Sequence, residues 1–503
     1  MKTRVSRRFA LAGGAALAFT GPALANAPER SLLPVARGDN LKAIALGGVE
    51  TLVARYNLTG TVGLAVADVK SGLMLEDLNP TTGLPPASVT KSLTSLYALD
   101  ALGPDHRFQT RLMARGPVED GVLKGDLILL GGGDPTLDTD GLATLAANLK
   151  AKGVREVRGN FIVDEGALPY VRTIDPEQLP HLSYSPAVSG IALNFNRVHF
   201  EWHRGGPSGY TVQMDARASR FRPDVVVARM QVEDRSLPVY TYEDHDGVDD
   251  WTVARGALGD GGSRWLPVRR PGAYAGDVFR TLARSNGIVL KEAQVWSGLT
   301  VGKSTGTTEL VSLSSAPLTE VLREMLKYST NLTAEMVGLS ATIARGGQPQ
   351  TLAESAAQMS AWAKETFGTT GSELVDHSGL GVDNRMTARD LTLALVEVRR
   401  AGVLRPLLKH IALYDDNGRT VSDKEIKVNA KTGTLFFVSA LAGFMTAHDG
   451  TELAFAIFTA DVDRRAKAVI AGDERPPGAR GWNGQSKRMQ QALIERWNVL
   501  YGT

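Results

Sequence analysis

The chain has no cysteine in 503 residues, which excludes disulfides, a thiol nucleophile and thiolate metal ligation. Net charge is also nearly absent: 56 Lys and Arg stand against 54 Asp and Glu, so nothing electrostatic favours nucleic acid. There is no internal repeat and no low-complexity tract. Long apolar runs are missing too, since the one candidate, from Phe9 to about Phe19, is too short to cross a bilayer. What remains is the composition of a folded globular protein, 43% hydrophobic and 22% charged. Its length exceeds one ordinary core and implies two or more domains.

The first 25 residues differ from the rest. Lys2, Arg4, Arg7 and Arg8 precede the short apolar run, Gly21-Pro22 breaks it, and Ala23-Leu24-Ala25 offers a small-residue cleavage pattern. This reads as an export signal, residues 1–25, with no integral membrane segment left after its removal. Ser6-Arg7-Arg8-Phe9 hints at the twin-arginine route, and the ordinary secretory route fits as well. Removing four basic residues takes the formal charge from +2 to −2. Export without disulfides suits a bacterial periplasm, where a large core makes covalent staples unnecessary.

Both ends of the remaining chain read as parts of one antiparallel sheet. Residues 61–68 and 73–78 form a hairpin around Val69-Lys70-Ser71-Gly72. Residues 425–435, 439–447 and 452–461 read as three more strands, with His448-Asp449-Gly450 as a tight turn. A closing helix carries Met489, Leu493, Trp497 and Leu500 on one face. The middle, 113–308, looks like an insertion of mostly β character. Strand-like pieces at 126–130, 160–164, 211–214 and 225–232 alternate there with Gly-, Pro- and Asp-rich loops, and one clear helix spans 141–152.

Three short signatures occur in order: Ser88-Val89-Thr90-Lys91, Ser329-Thr330-Asn331 and Lys431-Thr432-Gly433. Each is commonplace alone; together they form the signature set of penicillin-recognising serine acyl enzymes. Ser88 and Lys91 lie three apart at a helix start, so their side chains share one face of a turn. A serine hydroxyl needs a base, and a lysine serves as one only when desolvation or a nearby cation lowers its pKa. Apolar Val89, Leu93 and Leu96 help to bury it. Ser329-Thr330-Asn331 falls between two helices, where Ser329 can relay a proton and Asn331 can hold a substrate amide. Lys431-Thr432-Gly433-Thr434 lies in a strand. Gly433 there permits close backbone approach, Lys431 with the Thr432 and Thr434 hydroxyls suits a carboxylate, and the Thr434 and Ser88 N–H groups suit an oxyanion.

With these residues the chain resembles the low-molecular-mass class C penicillin-binding proteins, the D-alanyl-D-alanine carboxypeptidase/endopeptidase family S13. Residues 125–137, Ala192-Leu193-Asn194-Phe195-Asn196 and Asp376-His377-Ser378-Gly379-Leu380 are also similar to family segments. The resemblance implies an α/β (α+β) fold: a transpeptidase/β-lactamase-like domain, 26–112 with 309–503, around an antiparallel five-stranded sheet flanked by helices, with 113–308 inserted. It implies a serine D-Ala-D-Ala carboxypeptidase and DD-endopeptidase acting on peptidoglycan stem peptides ending in D-Ala-D-Ala, acylated by β-lactams at Ser88, without cofactor or metal. Gly381, where a serine is expected, and apolar Phe436-Phe437 depart from the pattern.

Two alternatives compete. A β-lactamase fits less well, because 241 residues separate Ser88 from Ser329 and the class C Tyr-x-Asn motif is absent. A non-catalytic penicillin-binding wall receptor would leave every catalytic residue type without a use. Residues 298–304 fall short of phosphate-loop spacing, and the acidic loop 243–250 does not follow calcium-loop spacing. His199, Glu201 and His203 read more simply as a solvated strand face than as a metal site.

Overall fold

The computed structural model describes residues 46–205, 209–297, 306–414, 419–420 and 426–502. The expected export signal and residues 298–304 lie outside them. The central sheet is wholly antiparallel and contains β1 (Thr61–Asp68), β2 (Met74–Leu78), β3 (Lys409–His410), β4 (Lys427–Leu435), β5 (Val438–Thr446) and β6 (Glu452–Ala460). Their order is β3-β4-β5-β6-β1-β2, so the two ends of the chain meet where β1 pairs with β6, Thr61 opposite Ala460 and Asp68 opposite Leu453. The sheet therefore has six strands where five were expected. The extra one, β3, is a two-residue edge strand, too short to show a period of two.

Alternation along β6 explains the layering. Leu453, Phe455 and Ile457 point to one face and meet Met489, Leu493, Ile494 and Trp497. Ala454, Ala456, Phe458 and Ala460 point to the other. A mostly alanine face lets helices lie close, and five of them contribute to the core on that side. They are α1 (Thr90–Leu102), α2 (Leu318–Tyr328), α3 (Asn331–Ala344), α4 (Leu352–Phe367) and α5 (Ala388–Ala401). The chain closes with α6 (Val462–Ala471) and α7 (Ala479–Tyr501), the latter supplying the large residues on the first face. Glu76 of β2 pins α7, accepting from Arg496 Nη2 at 2.8 Å and Trp497 Nε1 at 3.0 Å.

The middle of the chain builds a second sheet from Ala293–Trp296, Phe161–Asp164, Asp126–Leu130, Gln109–Arg115 and Thr308–Ser314, in that spatial order, beside three smaller three-stranded sheets. Leu112 pairs with Val311, and both are buried in this region's own core. The expected boundaries thus fall inside the Gln109–Arg115 strand and at the start of Thr308–Ser314. Two helices pack here, Thr139–Ala151 and Pro271–Ser285, where one was expected. The second starts with proline at its first turn, a position where the missing N–H costs nothing. Its small residues, Gly272, Ala273, Ala275 and Gly276, blur the helical pattern in the sequence. His199 and Glu201 gather with Asp215 within 4.8 Å. Arg217 Nη2 donates to Glu201 at 2.5 Å and Asp215 at 2.6 Å, so a guanidinium already balances the two carboxylates.

Candidate active site

Ser88 sits in a 3-10 turn, Ala87–Val89, that leads into α1. Ala87 adopts φ 46°, a left-handed conformation that costs a residue with a Cβ about 1–2 kcal/mol. Three neighbours hold it there. Thr90 Oγ1 donates to Ala87 O at 3.0 Å, and Gly379 and Gly433 both lie so close that neither tolerates a Cβ. A Cβ on Gly433 would meet Pro86 O at 2.8 Å and Ser88 N at 3.1 Å. The glycine in β4 therefore lets the strand backbone touch the backbone of the Ser88 turn; the backbone that approaches it here is the chain's own.

Lys91 is the second residue of α1, one turn after Ser88, and is wholly buried. Its Nζ contacts Ser88 Oγ at 3.0 Å, Asn331 Oδ1 at 2.7 Å and Ser378 O at 2.7 Å. A neutral amine has two N–H groups and one lone pair. The carbonyl oxygens of Asn331 and Ser378 accept only, so they take the two hydrogens and leave the lone pair for the Ser88 hydroxyl. Burial drives the Lys91 ammonium from its ordinary 10.5 down to about 8, against the opposing pull of Glu335 and Asp376.

Ser329 caps α2 in the left-handed region, φ 61° and ψ 39°, and the turn aims its hydroxyl at Lys431, whose Nζ donates to it at 2.9 Å. Lys431 also donates to Thr432 O at 2.8 Å. Burial pushes its ammonium well below the ordinary value, and the charge of Lys91 adds to the effect. Asn331 begins α3. Its Nδ2 donates to Tyr184 O at 3.0 Å, which fixes the amide so that Oδ1 faces Lys91. In the protein alone, both ends of that amide are thus engaged. Gly433 is buried, Thr432 half-buried and Thr434 exposed along the same stretch of β4. A cavity of about 620 Å³ opens beside Ser329, Thr330 and Asn331, lined further by Tyr184, Phe195, Arg197 and Met325.

Ser88, Lys91, Ser329, Asn331 and Lys431 are thus linked in two hydrogen-bonded groups, with Gly433 against Ser88. The parts played by four neighbours escaped the sequence reading. Tyr184 and Ser378 each contribute a backbone carbonyl, which no residue pattern announces. Glu335 and Asp376 are fully buried acids behind Lys91. Glu335, inside the apolar run of Leu332, Ala334, Met336 and Val337, carried the one readable signal, a charge where a helix has no wet face.

A serine beside a buried lysine, a Ser-x-Asn turn and a Lys-Thr-Gly strand, assembled on a helix-covered antiparallel sheet, define the class: a serine hydrolase. Residues 47–473 match the D-Ala-D-Ala carboxypeptidase 3 (S13) family, and the chain belongs to it. It is accordingly an enzyme of the serine-type D-Ala-D-Ala carboxypeptidase class. A D-alanyl-D-alanine carboxypeptidase from Actinomadura sp. (strain R39) is 29% identical over 475 residues, covering 87% of this chain and 86% of that protein. The crystal structure of penicillin binding protein 4 (dacB) from Haemophilus influenzae superposes with a TM-score of 0.72 at 21% identity, covering 90% of this chain and 99% of that one. The same protein complexed with a β-lactam superposes with a TM-score of 0.67 at 22% identity, covering 89% and 99%. Among the described residues, no helix is long and apolar enough to cross a membrane.

Proposed function

We propose that this enzyme removes the terminal D-alanine from peptidoglycan stem peptides through an ester on Ser88, and cuts D-alanyl cross-links by the same route. The observation that carries this reading is the three-way contact of Lys91, which supports a neutral amine aimed at the Ser88 hydroxyl. Ser88 Oγ attacks the carbonyl carbon between the two D-alanines while its proton passes to Lys91. The N–H groups of Ser88 and Thr434 stabilise the oxyanion. The C–N bond then breaks, and the departing amine takes the proton held by Lys91, relayed through Ser329, which Lys431 orients, so Lys91 is neutral again. Lys431 with Thr432 and Thr434 receives the terminal carboxylate. Water enters, gives a proton to Lys91 and attacks the ester; the C–O bond to Ser88 breaks, Lys91 returns the proton to the Ser88 oxygen, and the shortened peptide leaves.

A β-lactam carbonyl meets the same nucleophile and is opened to a covalent adduct. The β-lactam complex of the Haemophilus influenzae protein is consistent with this. Peptidoglycan lies outside the inner membrane, so the amino-terminal signal and a periplasmic location belong to the same proposal. The test is release of free D-alanine from a stem pentapeptide, alongside nitrocefin turnover. Wild-type protein releases D-alanine and turns nitrocefin over slowly, and Ser88→Ala does neither. Rapid nitrocefin hydrolysis without D-alanine release would favour a β-lactamase and overturn the proposal.

A further inference from the structure

Two acids lie behind Lys91, and both are spent on one short loop. Glu335 Oε2 accepts from the His377 N–H at 3.0 Å, and its Oε1 from the Ser378 N–H at 2.9 Å. Asp376 Oδ1 accepts from the Gly379 N–H at 2.5 Å, while Oδ2 accepts from the Gly381 N–H at 2.6 Å and from Asn384 Nδ2 at 3.0 Å. The Gly379 N–H and the Ser378 C=O belong to one rigid peptide unit. Asp376 therefore grips one end of a plane whose other end accepts from Lys91 Nζ. An acceptor pulling on the N–H also polarises the carbonyl, which strengthens its hold on the lysine. Glu335 stands one helical turn after Asn331, the other acceptor of Lys91, so α3 sets both acceptors from one face.

We infer that Glu335 and Asp376 are positioning residues for acylation: together they lock the 376–381 loop so that the Ser378 carbonyl occupies one Lys91 hydrogen and the lone pair stays on Ser88. The inference rests on the acyl-enzyme reading above and assigns its geometry to two residues that touch neither substrate nor nucleophile. Glu335 from α3 and Asp376 from the loop act on Lys91, while Lys91 and Lys409 act on Lys431. The His377 ring belongs to a different neighbourhood, with Nε2 at 2.7 Å from Ser355 Oγ and Nδ1 beside Met359. Burial holds that imidazole neutral, down to about 3. Burial and the neighbouring Asp376 raise the Glu335 carboxyl, while the hydrogen bonds from Ser378 and His377 and the charge of Lys91 hold it down.

The test compares Glu335→Gln, Glu335→Asp and Asp376→Asn with wild type. It measures acylation by a fluorescent penicillin per active site across pH, with the denaturant midpoint of each protein. Glu335→Gln and Asp376→Asn lose one acceptor each and slow acylation about 10- to 100-fold. Both also remove a charge that supports the ammonium, so the rising limb of the rate moves to lower pH. Glu335→Asp keeps the charge and shows a lower plateau with the limb in place. A purely structural role lowers the midpoints and leaves per-site rates and limbs at wild-type values, and that result overturns the inference. Should the neutral variants not fold, Glu335→Asp decides, because a shifted limb in it contradicts the assignment. In wild type, the amides of His377, Ser378 and Gly379 must exchange slowly with solvent; fast exchange also overturns it. Wild-type protein that takes up no penicillin sinks the acyl-enzyme reading instead.

Discussion

Replacing Gly433 with alanine puts a methyl group into the closest backbone approach of the site. The added Cβ lies 2.8 Å from Pro86 O and 3.1 Å from Ser88 N, where ordinary contact begins at 3.4 Å. Two neighbours are main chain and the third, Ala87 Cβ at 3.0 Å, cannot rotate away, so β4 must shift by about 0.6 Å to clear Pro86 O, the difference between 3.4 and 2.8 Å. Overpacking of this kind costs about 1–3 kcal/mol of stability, which a protein with this core survives. The catalytic cost is larger in proportion. Misplacing reacting groups by about 1 Å forfeits about 100-fold in rate, so 0.6 Å in this assembly predicts a loss of about 10- to 100-fold. The assay is the second-order acylation rate with a fluorescent penicillin, on protein whose unfolding midpoint has been measured. A folded Gly433→Ala protein that acylates within about twofold of wild type refutes the steric argument, because the methyl then finds room the geometry denies.

Three more outcomes follow. Acylation needs Lys91 neutral, so with its pKa at about 8 the rate rises about tenfold per pH unit below that value and levels above it; a rate flat from pH 6 to 9 contradicts lysine as the base. Ser329→Gly relieves the left-handed turn, raising stability by about 1 kcal/mol in urea titration, yet slows D-alanine release because the Lys431 partner is gone. Glu76→Ala leaves Arg496, whose side chain is only 5% exposed, without its carboxylate and costs about 3–5 kcal/mol in urea titration while per-site acylation stays unchanged.

The parts legible in the sequence were those with short-range signals. β4, β5 and β6 announced themselves as runs of apolar and small residues broken by tight turns, the first two motifs stand at helix starts or ends that local residues specify, and the third lies inside β4. Long-range pairing left no such mark. Nothing local in Gln109–Arg115 says that it will pair with Thr308–Ser314, nearly 200 residues away, so the expected boundaries fell on strands that belong to the second sheet. The site divides the same way. Ser88 and Lys91 are neighbours through one helical turn, whereas the Ser378 and Tyr184 carbonyls are main-chain atoms available to any residue type. Of the buried acids, Glu335 was readable only as a charge in an apolar helix, and Asp376 stood in a family-like segment with no role attached to it.

The most direct measurement is intact-protein and peptide mass spectrometry after brief incubation with penicillin. The account predicts one added penicillin mass, mapping to the peptide that contains Ser88, lost in Ser88→Ala and formed more slowly as pH falls below about 8. No adduct on the wild-type protein, or an adduct on any other residue, contradicts the claim that Lys91 makes Ser88 the nucleophile.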